Sequence, residues 1–172
     1  MTDRATATPI RSRPADIAFA LFFGASAAYG LLISLPEALG VPVAPDSPWP
    51  PLRALYDWAV AQEPAHLDPP ISLLTSACLD GFVHAPFLCV LIYALIRGRS
   101  WIRLPALLFV GSSVTNMFYY FAQTFAGPHP PPNTAYYLAF NLPWLIAPIL
   151  LAVRMRRDDP FASDRKRSGA AP

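Results

Sequence analysis

Four apolar runs dominate the chain: Ile17 to Leu35, Pro70 to Ile96, Leu104 to Phe125 and Thr134 to Val153. Each is near or above the roughly 20 residues a helix needs to cross the hydrocarbon core of a membrane. Inside them the only acid is Asp80, and there is no Lys or Arg. The pattern predicts an all-α integral membrane four-helix bundle. Residues 36–69, between the first two runs, are proline-rich and acidic, as expected of an extracytoplasmic loop. Within it "PPLRALYDWAVAQEP" predicts one short helix, started by its prolines and stopped before Pro64. The connection "AGPHPPPN" (126–133) has too much proline for helix and predicts a tight turn with His129 exposed on it. Pro86, Pro143 and Pro148 fall inside runs, where each removes a backbone hydrogen bond and favours a kink.

Charge then orients the bundle. Of thirteen basic residues, only Arg53 falls in the loop side of this arrangement; the others precede the first run, separate the second from the third, or follow the fourth. The positive-inside rule therefore places both termini in the cytoplasm. Residues 1–16 and 154–172 become cytoplasmic tails, polar and mobile, around a transmembrane domain at 17–153. The net charge of +2 follows from this topology, so no nucleic-acid partner is expected. A cleaved signal peptide ending near "ASA" (25–27) competes for the first run, but the apolar stretch continues to Leu35. Cys78 and Cys89 stand eleven residues apart on one helix, about 16 Å of rise, so they are packing residues and not a disulfide. No cofactor or metal is expected. Twelve Arg to one Lys, with much Ala and Pro, points to a GC-rich bacterial genome and so to a bacterial inner membrane, or to the endoplasmic reticulum in a eukaryote.

Counting inward from the loop-side end of each run brings three polar residues to one level. Asp80 is ten residues in from Pro70, Asn116 nine in from Phe125 and Asn141 seven in from Thr134, all about 10 to 15 Å deep. Helical periodicity adds His84, Ser76, Val83 and Phe87 to the face of Asp80; Ser112, Ser113, Tyr119, Tyr120 and Gln123 to that of Asn116; and Tyr137, Trp144 and Pro148 to that of Asn141. This predicts an intramembrane cavity with a polar patch and aromatic walls. Hydrocarbon penalises a charged carboxylate, so either Asp80 is neutral and can donate a proton, or a positive His84 one turn away holds it ionised. A neutral acid can protonate an alkene; an ionised one is the counter-ion of an amine. Trp144 and the tyrosines can face either kind of cation. Hydrogen-bonded packing is the competing role for such residues, favoured here for Ser112, Ser113 and Gln123, whereas an acid inside a membrane is functional by default.

The segments "EPAHLDPP" (63–70), "CLDGFVHAPFL" (78–88), "WIRLPALLF" (101–109) and "NLPWLIAP" (141–148) are similar to those of the EXPERA family, which includes emopamil-binding protein, a sterol double-bond isomerase, and the sigma-two receptor. The chain resembles that family from about Leu55 to Phe161. The resemblance implies four helices around a cavity open to the membrane that binds sterol-like molecules and amines. It gives Asp80 the place of the acid on the second helix, His84 the receptor's polar position, and Asn141 and Trp144 the isomerase's polar and cation-stabilising positions. In one place the sequence departs from the family. Its catalytic members carry an acid in the first helix, and "AYGLLISLP" (28–36) offers only Tyr29 and Ser34.

The expected partner is thus a membrane lipid or other sterol-like small molecule, a hopanoid or other polyprenoid in a bacterium, and homodimers can form through unassigned helix faces. In an isomerase Asp80 and His84 are the catalytic pair, with Asn116, Tyr120, Asn141, Trp144 and Tyr29 binding ligand. In a receptor or carrier Asp80 anchors a polar head and no bond changes. A proton-coupled transporter is a third class, disfavoured because four helices without a repeat are few for alternating access.

Overall fold

The computed structural model describes residues 8–161. Among them all regular structure is helical: α1 Pro14–Tyr29, α2 Leu35–Ala38, α3 Pro50–Gln62, α4 Ile71–Leu79, α5 Ala85–Arg97, α6 Arg103–Ala126 and α7 Thr134–Met155. One π turn, Gly30–Ser34, joins α1 to α2, and another, Asp80–His84, joins α4 to α5. Pro14–Ala38, Ile71–Arg97 and Thr134–Met155 are thereby long and apolar enough to cross a membrane. At 24 residues α6 is also long enough, but Ser112, Ser113, Thr115, Asn116 and Gln123 dilute its apolar character. Large apolar side chains such as Leu21, Leu108, Phe118 and Leu150 stand exposed along the outer faces of these helices, an arrangement suited to lipid and not to water.

The two π turns have a common local cause. Each is followed, two residues on, by a proline, Pro36 or Pro86. Proline lacks the N–H of the regular ladder and its ring crowds the carbonyl four residues back. A wider turn absorbs that clash without breaking the helix. Behind Pro36 the carbonyl freed is that of Leu32, and the indole N–H of Trp49 donates to it. That bond pins the loop to the helix it leaves, beside a small core of Ile33, Val43 and Leu52.

The turns also fit into each other. A methyl group on Gly30 would lie 2.7 Å from the Cβ of Ala85, and one on Gly81 would lie 2.7 Å from the Cα of Leu35. Each glycine thus abuts the residue that precedes the other turn's proline. This close approach makes α1 and α5 neighbours along their length, while α6 pairs mainly with α7. The main core, with Phe23, Leu91, Leu95, Phe109 and Leu151 at its centre, fills the half of the molecule nearest the termini.

Expectations about the connections meet mixed outcomes. Helix α3 forms where the loop pattern predicted it, and residues 127–133 form no helix. Pro143 and Pro148 lie inside one continuous α7. The tails differ from expectation in their described parts. Asp16 is fully buried and paired with Arg13 and Arg154, and both guanidinium groups lie about 5 Å from the ring of Phe161, at 5.0 and 5.2 Å. Both guanidinium groups share the one carboxylate and the ring face of Phe161, and these contacts tie residues 8–16 to 154–161; the rest of both tails lies outside the described residues.

Candidate functional site

Tyr29, Asp80, His84, Asn116, Tyr120, Asn141 and Trp144 all line one pocket. Its volume is about 140 Å³, roughly ten times the minimum for one water. The π turn at Asp80–His84 forms its middle. There His84 Nδ1 lies 2.7 Å from Asp80 Oδ1 and His84 Nε2 lies 2.9 Å from Ser112 Oγ. The imidazole, packed edge-on against Phe109, is buried, while the Asp80 side chain keeps 39% of its surface open. A carboxylate facing the cavity is thus backed by a ring that can exchange a proton with it, and Ser112 orients that ring.

Asn116 extends the network. Its Nδ2 donates to Asp80 Oδ1 at 3.4 Å, and its Oδ1 accepts from Ser76 Oγ at 3.0 Å. Asn141 faces the same pocket but donates to the backbone carbonyl of Tyr137, one turn back, at 3.0 Å. It has no bond to Asp80. The ring of Trp144 lies across the gap between α7 and α1, 5.3 Å from that of Phe22 and 5.9 Å from that of Tyr29. Gln123 accepts from Ser72 Oγ at 2.9 Å and ties α6 to α4. Val83 and Tyr119, grouped with the site by helical spacing, point outward and are exposed: Val83 lies within the π turn, whose wider winding alters the spacing that placed it beside Asp80, and Tyr119 lies on the regular helix α6, where its neighbour Tyr120 takes the pocket side.

At the end of the pocket away from the termini stands a second polar cluster. Tyr120 Oη donates to Glu63, Thr124 Oγ1 donates weakly to the same carboxylate at 3.5 Å, and Thr124 also meets Tyr137 Oη at 2.9 Å. His66, on the short turn Pro64–Leu67, sits between two acids: Nδ1 is 3.7 Å from Glu37 and Nε2 is 3.7 Å from Glu63. Burial works against the charged ring, but the two carboxylates outweigh it and push the His66 pKa from its ordinary 6.5 up to about 9. The distances are those of ion pairs and too long for direct hydrogen bonds.

This cluster corrects the expectation that the first helix brings no acid. Glu37 follows the stretch "AYGLLISLP" by one residue and lines the pocket, because the π turn carries the helix on through Pro36 to Ala38. Glu63 was visible in the motif "EPAHLDPP" without being assigned a role. His66 stands three residues after Glu63 in that same motif, but only the fold of the loop brings Glu37 to its other side. Tyr29 lines the same pocket, within electrostatic range of Glu37, Glu63 and Asp80. Among the described residues no group of three His, Cys, Asp or Glu side chains is disposed to hold a metal ion.

The family model described as EBP, EXPERA (EXPanded EBP superfamily), matches residues 49–155. The match covers α3 to α7 and leaves out the helix that carries Glu37. No curated protein matches the chain.

Proposed function

The chain belongs to the EXPERA family, and from that membership and its apolar helices it is a membrane protein; on this premise we propose that it is a four-helix protein with both termini cytoplasmic, whose pocket binds a sterol-like or other isoprenoid lipid and shifts a double bond in it. The observation that carries this reading is the Asp80–His84 pair, open to the pocket on the acid side and hydrogen-bonded to Ser112 on the other. An acid of this kind can deliver a proton to one carbon of an alkene. The electron pair of the double bond forms the new C–H bond and leaves a cation on the adjacent carbon. The ring faces of Trp144 and Tyr29 line the pocket where they can stabilise that charge. Loss of a proton from a neighbouring carbon forms the new double bond, and no atom is gained or lost. The Asp80–His84 pair can take that proton, with His84 relaying it.

Non-catalytic binding of a lipid or amine is the second reading. It is favoured by the excess of three carboxylates, Glu37, Glu63 and Asp80, over two imidazoles in the pocket. Purification after incubation in heavy water, followed by mass spectrometry of the bound lipid, tests the two. The isomerase reading expects deuterium on carbon with wild type and none with Asp80→Asn. Bound but unlabelled isoprenoid in the wild type supports the binding reading, and absence of any isoprenoid overturns the isomerase reading and the lipid half of the binding reading.

A further inference from the structure

The Nδ1 atom of His66 is a buried polar side-chain atom with no hydrogen-bond partner, on a side chain only 8% exposed that lines the pocket. Protein interiors rarely leave such a group unsatisfied. We propose that Glu37, His66 and Glu63 form a second, head-group subsite at the far end of the pocket, which holds the hydroxyl of an alcohol-terminated isoprenoid whose chain runs inward toward Asp80. The inference rests on the isoprenoid reading of the pocket and names the end of the ligand that it would hold.

Donors and acceptors select the head. Charged at neutral pH, His66 offers an N–H at Nδ1, and Glu37 beside it offers acceptor oxygens. Glu63 is already engaged by Tyr120 and Thr124, whereas among the described residues Glu37 meets only His66. An oxygen placed about 2.8 Å from each group can bridge the gap between them, which measures 3.7 Å. A hydroxyl does so completely, accepting from His66 and donating to Glu37. An ether can accept but has nothing for Glu37. An ammonium has donors only, leaves Nδ1–H without an acceptor and is repelled by the imidazolium. A carboxylate or phosphate head would meet two carboxylates. Tyr29, which lines the same pocket within electrostatic range of this cluster and of Asp80, offers its ring to the chain.

Calorimetric titration of the purified full-length protein with farnesol, farnesyl methyl ether and farnesylamine provides the test. The expected result is that farnesol binds about tenfold or more tightly than the ether, the size of one hydrogen bond to a charged group. In His66→Leu that preference falls to about one while the ether's own affinity stays within about twofold; a variant that merely misfolded would lose both ligands. Glu37→Gln should weaken farnesol several-fold and leave the ether unchanged. Equal binding of farnesol and ether to wild type, as when a water bridges His66 and Glu37, overturns the subsite and leaves the isoprenoid reading in place. Tighter binding of farnesylamine than of farnesol, kept in His66→Leu, also overturns it. Failure of all three probes to bind overturns the subsite together with the isoprenoid reading on which it rests.

Discussion

Gly81 and Leu35 touch backbone to backbone: a methyl group on Gly81 would come within 2.7 Å of the Leu35 Cα and 2.9 Å of its nitrogen. The two π turns are held together by this contact and its counterpart between Gly30 and Ala85. Because Asp80 precedes Gly81 in the chain, the same contact sets the aim of the carboxylate.

Substitution of Gly81 therefore has a sharp expected outcome. Gly81→Ala should lower stability by about 1–3 kcal/mol, the usual scale of overpacking, because backbone atoms cannot yield as a flexible side chain can. Gly111→Ala, on α6 with nothing within 4 Å of the added methyl, should be neutral or slightly stabilising. Thermal melting of the two variants in the same detergent checks the contrast.

The orientation of His84 gives a second prediction. Its Nε2 contacts Ser112 Oγ at 2.9 Å while Nδ1 faces Asp80, so Ser112 acts as a positioning residue without touching substrate. Ser112→Ala should slow deuterium incorporation into bound lipid by about tenfold, at the low end of the effects seen for such outer partners. The amount of bound lipid should not change, whereas a packing defect would reduce both.

Stability should depend on alkaline pH through His66. Its folded pKa of about 9 lies above the ordinary 6.5, so its contribution is complete below about pH 6.5 and is lost as pH rises through about 9. The loss is on the order of 2–3 kcal/mol, since a neutral ring leaves Glu37 and Glu63 facing each other uncompensated. Melting temperatures from about pH 6.5 to about pH 10 should fall in wild type and stay flatter in His66→Gln.

At the opposite end, Asp16 is fully buried between Arg13 and Arg154. Asp16→Asn keeps the shape but leaves two guanidinium groups without their counter-charge, an expected loss of about 3–5 kcal/mol. Asp158→Asn, which breaks only the pair between this exposed acid and Arg103, should cost less than about 1 kcal/mol. Comparison of their denaturation midpoints separates the two.

The helices were legible because hydrophobic length and proline position act locally. Asp80 and His84 were legible for the same reason: four residues apart on any helix, they face each other. Glu37 was overlooked because a proline precedes it. Read alone, Pro36 marks the end of a helix, yet the π turn at Gly30–Ser34 lets the helix pass it. His66 was only partly within the reach of local reasoning: Glu63 lies three residues before it, whereas Glu37 comes from the other side of a long loop.

By itself the sequence determined an all-helical membrane protein of the EXPERA family, with an acid–histidine pair deep in one helix; apolar run length and i, i+4 spacing suffice for that. The tertiary structure alone decided that Asn116 meets Asp80 while Asn141 does not, that Val83 and Tyr119 face outward, and that Glu37, His66 and Glu63 share one pocket. Those outcomes depend on the register introduced by two π turns, on the rotation of α6 against α4 and α7, and on the return path of the loop, all of them settled by packing between segments distant in the chain.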